Sequence, residues 1–340
     1  MGIQFQSKEE WFHFYDGKGN RIDRKTEIRF DPLTNESSRI VFDPGLNFTA
    51  PDYQEEALST GGENCPFCKE NLLKLTPVFP KEIAEQGRIF KGEAVLFPNL
   101  FPYSKHNGVT TFSNEHYVKL ADFTTEMIKD AFMAAQIYIQ KVIEHDKEAK
   151  YASINWNYLP FSGGSILHPH LHIIVSETPM NYQSLVSKAV NNFKMETGQD
   201  YFKTLSETEK QQQDRWIGEI GKTTWMHAFA PKTHNDFVAV LSNVTSINDM
   251  KEADWLDFAK SLKAIFATLT EQGLASFNMI LNFANQLDEN TVHARLIPRL
   301  TIGQLGTSDI NFFQALHQEP LSYKRPEDVA EKARNYFKTK

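Results

Sequence analysis

His168-Pro169-His170-Leu171-His172, running into Ile173-Ile174-Val175, sets three imidazoles two residues apart. A β-strand sends alternate side chains to the same side, so the three rings would share one surface while Leu171 and Ile173 point into a core. Just upstream, Phe161-Ser162-Gly163-Gly164-Ser165 has the small, flexible composition of a turn whose backbone N–H groups approach a phosphate. A phosphate-binding turn feeding a histidine strand suggests a histidine nucleophile acting on phosphorus. The plain alternative is a half-buried strand whose histidines alternate by coincidence, and residues elsewhere in the chain weigh against it.

The two cysteines, Cys65 and Cys68, stand in Asn64-Cys65-Pro66-Phe67-Cys68. This spacing fits a metal knuckle, a redox pair or coincidence. A redox CxxC normally caps a helix in a βαβ unit, whereas this pair follows the turn-rich Gly61-Gly62-Glu63-Asn64. A knuckle suits it better. Two cysteines do not complete a metal site, so two further ligands, with histidines the natural candidates, must come from elsewhere.

The elements that must position these residues are legible in outline. The 340 residues, 41% hydrophobic and 23% charged, have room for one large or two medium domains. The first 60 residues look irregular and strand-rich, with a strand at 27–35 entering a Pro/Asn turn. Further strands are expected at Glu93–Asn99 and Gly108–Phe112. Between Thr124 and Glu148 apolar residues recur at helical spacing. Residues 180–215 read as polar and helical. A strand pair near Trp225–Phe229 and Phe237–Leu241 precedes a helix over Met250–Gln272, strands at 276–284 and 291–297, and a last helix at Pro326–Lys338.

Strands, a long helix and more strands thus occur twice, which points to an internal duplication. Asn157 precedes His168 by eleven residues and Asn282 precedes His293 by eleven; Lys105-His106-Asn107 and Thr233-His234-Asn235 each precede a strand. On this alignment Arg295 and Ile297 stand where the first copy has His170 and His172, so chemistry is kept only in the first copy.

The net charge of −7 argues against a general nucleic-acid or anionic-membrane surface; a small phosphorylated ligand needs only a local cradle. The first residues lack a signal-peptide apolar stretch, and no run approaches the roughly 18 apolar residues of a membrane helix. Gln6 stands where a myristoylation signal beginning at Gly2 needs Ser or Thr. The expected location is cytoplasmic, with no nucleic-acid or membrane partner.

Across most of its length the chain resembles the galactose-1-phosphate uridylyltransferase family, the transferase branch of the histidine-triad superfamily. The pieces that carry the resemblance are Arg29-Phe30-Asp31-Pro32-Leu33-Thr34, Cys65-Pro66-Phe67-Cys68, Pro98-Asn99-Leu100-Phe101-Pro102, Phe112-Ser113-Asn114-Glu115-His116, and Gly163-Gly164-Ser165 leading to His168-Pro169-His170. Ile297-Pro298-Arg299-Leu300 is similar to the second-half ending of related sugar-nucleotide phosphorylases. The resemblance implies an α+β fold of two fused histidine-triad-like halves, 1–178 and 179–340, each an antiparallel sheet with a long helix. It further implies a structural zinc held by Cys65, Cys68, His116 and His168, and His170 as the nucleophile on the α-phosphorus of a nucleoside diphosphate sugar. The His170 ring needs an acceptor, often a backbone carbonyl, to fix its tautomer. Ser165 and the adjoining amides of Gly163 and Gly164 would hold phosphate oxygens; Asn157 could reach the same phosphates, Asn99 resembles the base- or ribose-contacting position, and Arg29 is expected to contact substrate.

The implied function is a nucleotidyltransferase working through a nucleotidyl-histidine, as in UDP-glucose–hexose-1-phosphate uridylyltransferase, with a hexose 1-phosphate or inorganic phosphate as acceptor. The family often forms homodimers, and the resemblance brings that expectation with it. There are departures. His172 stands where the transferases carry glutamine, and His-φ-His-φ-His-φ-φ is the pattern of the nucleotide hydrolases. A phosphorylase, or a hydrolase of dinucleoside polyphosphates or phosphoramidates, is therefore the alternative; His172 would act there as an acid or orient water near neutral pH. A zinc-stabilised nucleotide sensor would not need the nucleophile, and an open HxHxH metal centre would orphan the cysteines. His293-Ala294-Arg295 lacks the His-x-His of a second metal site found in some members, and Val41-Phe42-Asp43-Pro44-Gly45 lacks the family's arginine after the early strand.

Overall fold

The computed structural model describes residues 2–41, 46, 48–283, 290–303 and 305–338. Phe42–Gly45, where the family arginine is missing, lies outside them.

Thirteen strands build the two larger sheets, apart from one short parallel strand near the C-terminal helix. Three open the chain: β1 (Gln6–Tyr15), β2 (Arg21–Phe30) and β3 (Ser37–Val41). The first half then supplies β4 (Ile89–Lys91), β5 (Ala94–Pro98), β6 (His106–Thr111), β7 (Tyr151–Tyr158) and β8 (His170–Ser176). The second supplies β9 (Trp216–Ile220), β10 (Thr223–His227), β11 (Phe237–Leu241), β12 (Phe277–Phe283) and β13 (His293–Pro298). The last ten form a single sheet in the order β4-β5-β6-β8-β7-β12-β13-β11-β10-β9, with every neighbouring pair antiparallel. The order repeats about its centre, so the expected duplication is present as topology. The two expected sheets are one, because β7 and β12 pair along their lengths, from Phe277↔Tyr158 to Phe283↔Ala152.

Alternation decides what each face does. Ile154, Trp156 and Tyr158 of β7, Leu171, Ile173 and Val175 of β8, and Phe277, Met279 and Leu281 of β12 point to one face and are buried. There they meet the long helices Thr125–His145 and Glu252–Glu271. Each such side chain contributes about 1.5–3 kcal/mol by leaving water. Trp156 sits in the middle, 4.3 Å from the Phe112 ring and 5.1 Å from Phe277. The two helices are tied through polar groups as well: Gln136 Nε2 donates to the carbonyls of Ile247 (2.8 Å) and Met250 (2.9 Å), while Trp255 Nε1 donates to Gln136 Oε1 at 2.7 Å. The opposite face is left to the asparagines and histidines. The long helices start within a few residues of the expected positions, Thr124 capping the first by accepting from Met127 N–H.

The register corrects the alignment of the halves. One step beyond the Trp156↔Leu171 pair, His170 lies beside Asn157; in the second half His293 pairs with Asn282. Val109 pairs with His172, and Val238 with Arg295. His293 is therefore the counterpart of His170, and Arg295 that of His172. The eleven-residue spacing misaligns the copies by one side-chain repeat, because the connection into the second strand differs in length between them.

The opening strands form a smaller sheet, β1-β2-β3, extended by the short parallel strand Leu321–Ser322, and they pack against the second half. Arg29 of β2 is buried; its Nη1 and Nη2 donate to Glu327 at 2.8 and 3.0 Å, and its Nε to Glu27 at 2.7 Å. Arg215 donates to Glu327 from the other side at 2.9 Å. Burial alone would raise the Glu327 pKa, but the hydrogen bonds and charge of Arg29, with help from Arg215, hold it at about 2. Its folded pKa thus lies below the unfolded value, so its contribution to stability is complete above about pH 4.5 and is lost as pH falls toward 2. Glu327→Gln should cost about 3 kcal/mol at pH 7, with the difference shrinking toward pH 2; denaturant midpoints measured across that range check it.

Candidate active site

Cys65 and Cys68 follow a short 3-10 turn, Gly62–Asn64. His116 lies in the segment after β6, and His168 directly precedes β8. Their ligand atoms all lie within 4.8 Å of one another. Cys68 Sγ is 3.5 Å from His116 Nδ1 and 3.7 Å from His168 Nδ1, and Cys65 Sγ is 3.9 Å from His168 Nδ1. Two ligands at zinc–sulfur and zinc–nitrogen lengths, set at a tetrahedral angle, stand about 3.5 Å apart, so the spacing fits one four-coordinate ion. The donor set points the same way. His168 Nε2 donates to the Ser113 carbonyl at 2.9 Å, which leaves Nδ1 as the lone pair facing the sulfurs. His116 Nε2 lies 3.0 Å from Thr60 Oγ1. Burial pushes the Cys65 thiol up to about 11, a cost that a cation would reverse.

His170 begins β8 with its side chain on the face opposite the core. Its Nδ1 donates to the backbone carbonyl of His168 at 2.8 Å, the acceptor expected for a tautomer with Nε2 unprotonated. Burial lowers its pKa against the pull of that same carbonyl, so the ring is neutral. Phe67, from between the two cysteines, packs edge-on against it at 5.2 Å. His172 lies 5.1 Å from His170, ring to ring, and 5.8 Å from Tyr103. Burial, with neighbouring His170, lowers its pKa to about 4. That shift favours a neutral ring, and its buried Nδ1 has no partner among the described residues.

Both histidines line a cleft of about 980 Å³ that also takes in Asn99, Asn157, Gly163, Gly164 and Ser165. The structure thus brings together seven of the eight expected catalytic and substrate residues. Arg29 is the exception, since its guanidinium is spent on Glu27, Glu327 and the Phe229 carbonyl. The glycine turn is also corrected in detail. Gly163 N–H donates to Pro160 O and Gly164 N–H to Leu159 O, so these amides close the turn instead of facing a ligand. Gly163 adopts φ +88°, and a Cβ on Gly164 would lie 3.0 Å from the Leu159 carbonyl; the glycines are there for turn geometry. The N–H groups of Ser165 and Ile166 have no protein acceptor among the described residues, and they are the ones left for an anion. Asn99 receives Phe101 N–H on Oδ1 (3.1 Å) and donates to Asn107 Oδ1 (2.9 Å), which makes it chiefly the residue that shapes the cleft rim.

Asn157 is held from the second half. Asn278 Nδ2 donates to Asn157 Oδ1 at 2.7 Å and to Ser162 O at 2.8 Å. Arg299 Nη1 reaches Asn278 Oδ1 at 3.4 Å and is itself clamped by Asp309, whose oxygens lie 2.7 and 3.0 Å from Nη2 and Nε. With Oδ1 engaged, the Asn157 amide nitrogen is the atom left to meet an oxygen in the cleft. Sequence reasoning missed Phe67, Asn278 and Arg299 as site residues. Two of them lie in motifs the sequence offers, Phe67 in Cys65-Pro66-Phe67-Cys68 and Arg299 in Ile297-Pro298-Arg299-Leu300, whereas the contacts of Asn278 depend on the β7–β12 register.

Residues 52–178 match a family described as a domain of unknown function (DUF4931), N-terminal domain. A protein of Archaeoglobus fulgidus, described as uncharacterized, is 34% identical over 322 residues, covering 94% of this chain and 95% of that protein. Among solved structures, a galT-like protein of Arabidopsis thaliana aligns with a TM-score of 0.69 and 17% identity over 90% of this chain and 98% of its own. An ADP-glucose phosphorylase of the same plant, with bound ADP-glucose, gives 0.69 and 17% over 91% and 98%. A uridylyltransferase gives 0.66 and 18% over 91% and 98%. The chain therefore belongs to one family with the archaeal protein, and it shares its fold with the galT-like protein, the ADP-glucose phosphorylase and the uridylyltransferase.

Proposed function

We propose that the chain is a nucleotidyltransferase acting on a nucleoside diphosphate sugar through a nucleotidyl-His170 intermediate. The observation that carries the reading is the His170 Nδ1 to His168 carbonyl bond, which leaves the Nε2 lone pair in a cleft beside Ser165. In the first step Nε2 attacks the α-phosphorus; a P–N bond forms and the P–O bond to the sugar 1-phosphate breaks, its electron pair leaving with that oxygen. In the second, an oxygen of a hexose 1-phosphate or of inorganic phosphate attacks the same phosphorus and the pair returns to Nε2. Ser165, its amide and that of Ile166, and the Asn157 amide hold non-bridging oxygens as charge develops. The neutral, buried ring needs no deprotonation before attack. The fold shared with an ADP-glucose phosphorylase and a uridylyltransferase supports nucleotide-sugar chemistry.

The metal in this reading is zinc, held by Cys65, Cys68, His116 and His168. With four protein ligands it supplies structural stability and takes no part in bond making. The reading also carries a division into halves at 178/179 and a homodimer, for which the exposed Trp11, Phe12 and Tyr15 on edge strand β1 offer apolar surface. Among the described residues no helix is long and apolar enough to cross a membrane.

Hydrolysis is the second reading, favoured by His172 and its unpartnered Nδ1. A neutral imidazole in that position can accept a proton from water, which glutamine cannot.

Three outcomes test these statements. Intact-mass spectrometry after incubation with a panel of nucleotide sugars should show a nucleotidyl adduct on the wild type and none on His170→Gly, which stays folded and metal-loaded; turnover by that variant would reject the nucleophile. Metal analysis should find one zinc per chain, lost together with several kcal/mol of stability in Cys65→Ser,Cys68→Ser. Release of free nucleoside monophosphate should fall in His172→Gln while transfer to phosphate acceptors persists. If water discharges the wild-type intermediate as fast as any acceptor, hydrolysis is the reaction.

A further inference from the structure

The second half has a cavity of its own where the register places the counterpart of the active-site cleft. In the first cleft His172 stands beside Val109 and near Phe97; in the second, Arg295 stands beside Val238 and lines the cavity with Met226. The space is about 540 Å³ counting its mouth. It is smaller than its counterpart because the helices Asn181–Thr197 and Tyr201–Gln212 lie over it. Phe202 stacks on His293 with centroids 4.0 Å apart, and the Tyr182 hydroxyl lies 3.2 Å from His293 Nε2. A nucleoside has no room beside that histidine. What stays open is the ground around Arg295.

The charges there balance in an uneven way. Asp31 accepts the N–H groups of Leu33 and Thr34, both at 2.9 Å. Glu36 is matched by Lys232 Nζ at 3.0 Å, and Glu209 by Arg215 Nε at 2.8 Å. Fully buried Asp236 takes Lys232 N–H on Oδ2 at 2.7 Å and faces Arg295 Nε at 3.1 Å. Asp31, Glu36 and Glu209 are therefore already hydrogen-bonded, while Asp236 Oδ1 is held to Arg295 by charge alone. Two sets of donors remain. The guanidinium of Arg295, whose side chain is only 12% exposed, meets Asp236 through Nε and lies 5.9 Å over the Tyr182 ring, and its terminal nitrogens have no acceptor among the described residues. Neither does the hydroxyl of Tyr201, which is 3% exposed and lines the same cavity. A guanidinium edge plus a hydroxyl, sheltered from water by aromatic walls, is the donor set that recognises a tetrahedral oxyanion.

We infer that the second half binds inorganic phosphate, or the phosphoryl end of a small ester, at Arg295 and Tyr201, at a site separate from the His170 cleft. The site involves neither turnover nor the nucleophile, and it stands whether or not the chain transfers nucleotides. Arg295 donates two N–H groups to phosphate oxygens and Tyr201 its O–H to another. No covalent bond forms.

The test uses the full chain and inorganic phosphate, with selenate as the anomalous probe in crystals. Phosphate should raise the thermal midpoint of the wild type and, equally, of His170→Gly. Tyr201→Phe should weaken phosphate binding about tenfold while leaving the packing of the ring intact. Arg295→Gln,Asp236→Asn, which removes both charges of the buried pair together, should abolish it. In wild-type crystals a selenate peak should lie within hydrogen-bond distance of the Arg295 guanidinium. A selenate peak confined to the His170 cleft, or phosphate affinity unchanged in Tyr201→Phe and in the double variant, would overturn the inference. If the double variant does not fold, Tyr201→Phe and the selenate position decide alone.

Discussion

The backbone carbonyl of His168 accepts the Nδ1 proton of His170, and the ring of the same residue faces the two thiols. Much of the site depends on this double use. The ring is fixed at one nitrogen by Ser113 O and at the other by the cysteine cluster, which sets the peptide whose carbonyl fixes the next histidine. Phe67 closes the loop by carrying the knuckle backbone onto the face of β8, edge-on to His170. A neutral imidazole has two tautomers, and only one leaves Nε2 with a lone pair. The cluster therefore favours one tautomer at a distance, by making the other give up a hydrogen bond inside a buried site, and in the proposed reaction that tautomer is the one needed.

A second constraint comes from the middle of the sheet. The β7–β12 pairing sets Asn278 beside Asn157, and through it Arg299 and Asp309 reach the first cleft. The second half thus decides how an amide of the first half is turned. Cutting the chain into two independent halves would leave an unpaired hydrogen-bonding edge along β7 and another along β12, and would free that amide to flip.

Legibility followed local chemistry. The histidine strand, the cysteine knuckle and both long helices could be read because alternation, CxxC spacing and a 3.6-residue period are properties of short segments. Strand β1 could not, because all ten of its residues are exposed and no apolar alternation marks it. The turn Gly163-Gly164 was found but misread in function: its amides looked available until their acceptors at Pro160 and Leu159 were in place. Arg29 looked like a ligand contact because its partners Glu27 and Glu327 are split between the two ends of the chain. The alignment of the halves failed for the same reason. Spacing along the chain counts residues through a loop, whereas a sheet aligns residues by the hydrogen bonds of their neighbours.

The duplicated strands leave one histidine facing an open cleft and the other covered. His170 lies beside Asn157, and His293 pairs with Asn282, on strands in equivalent places of one sheet. What differs is the cover. Over His170 lie loops, with Phe67 touching the ring by its edge, so the cleft stays open on the Nε2 side. Over His293 lie two helices that lay Phe202 flat on the ring and bring the Tyr182 hydroxyl to Nε2. Burial there lowers the His293 pKa to about 3, so that ring is neutral as well. Neutrality is thus common to both histidines and cannot be what separates them. The difference is access to the lone pair, decided by the helices of 181–212 that cover the ring and not by the strand that carries the histidine.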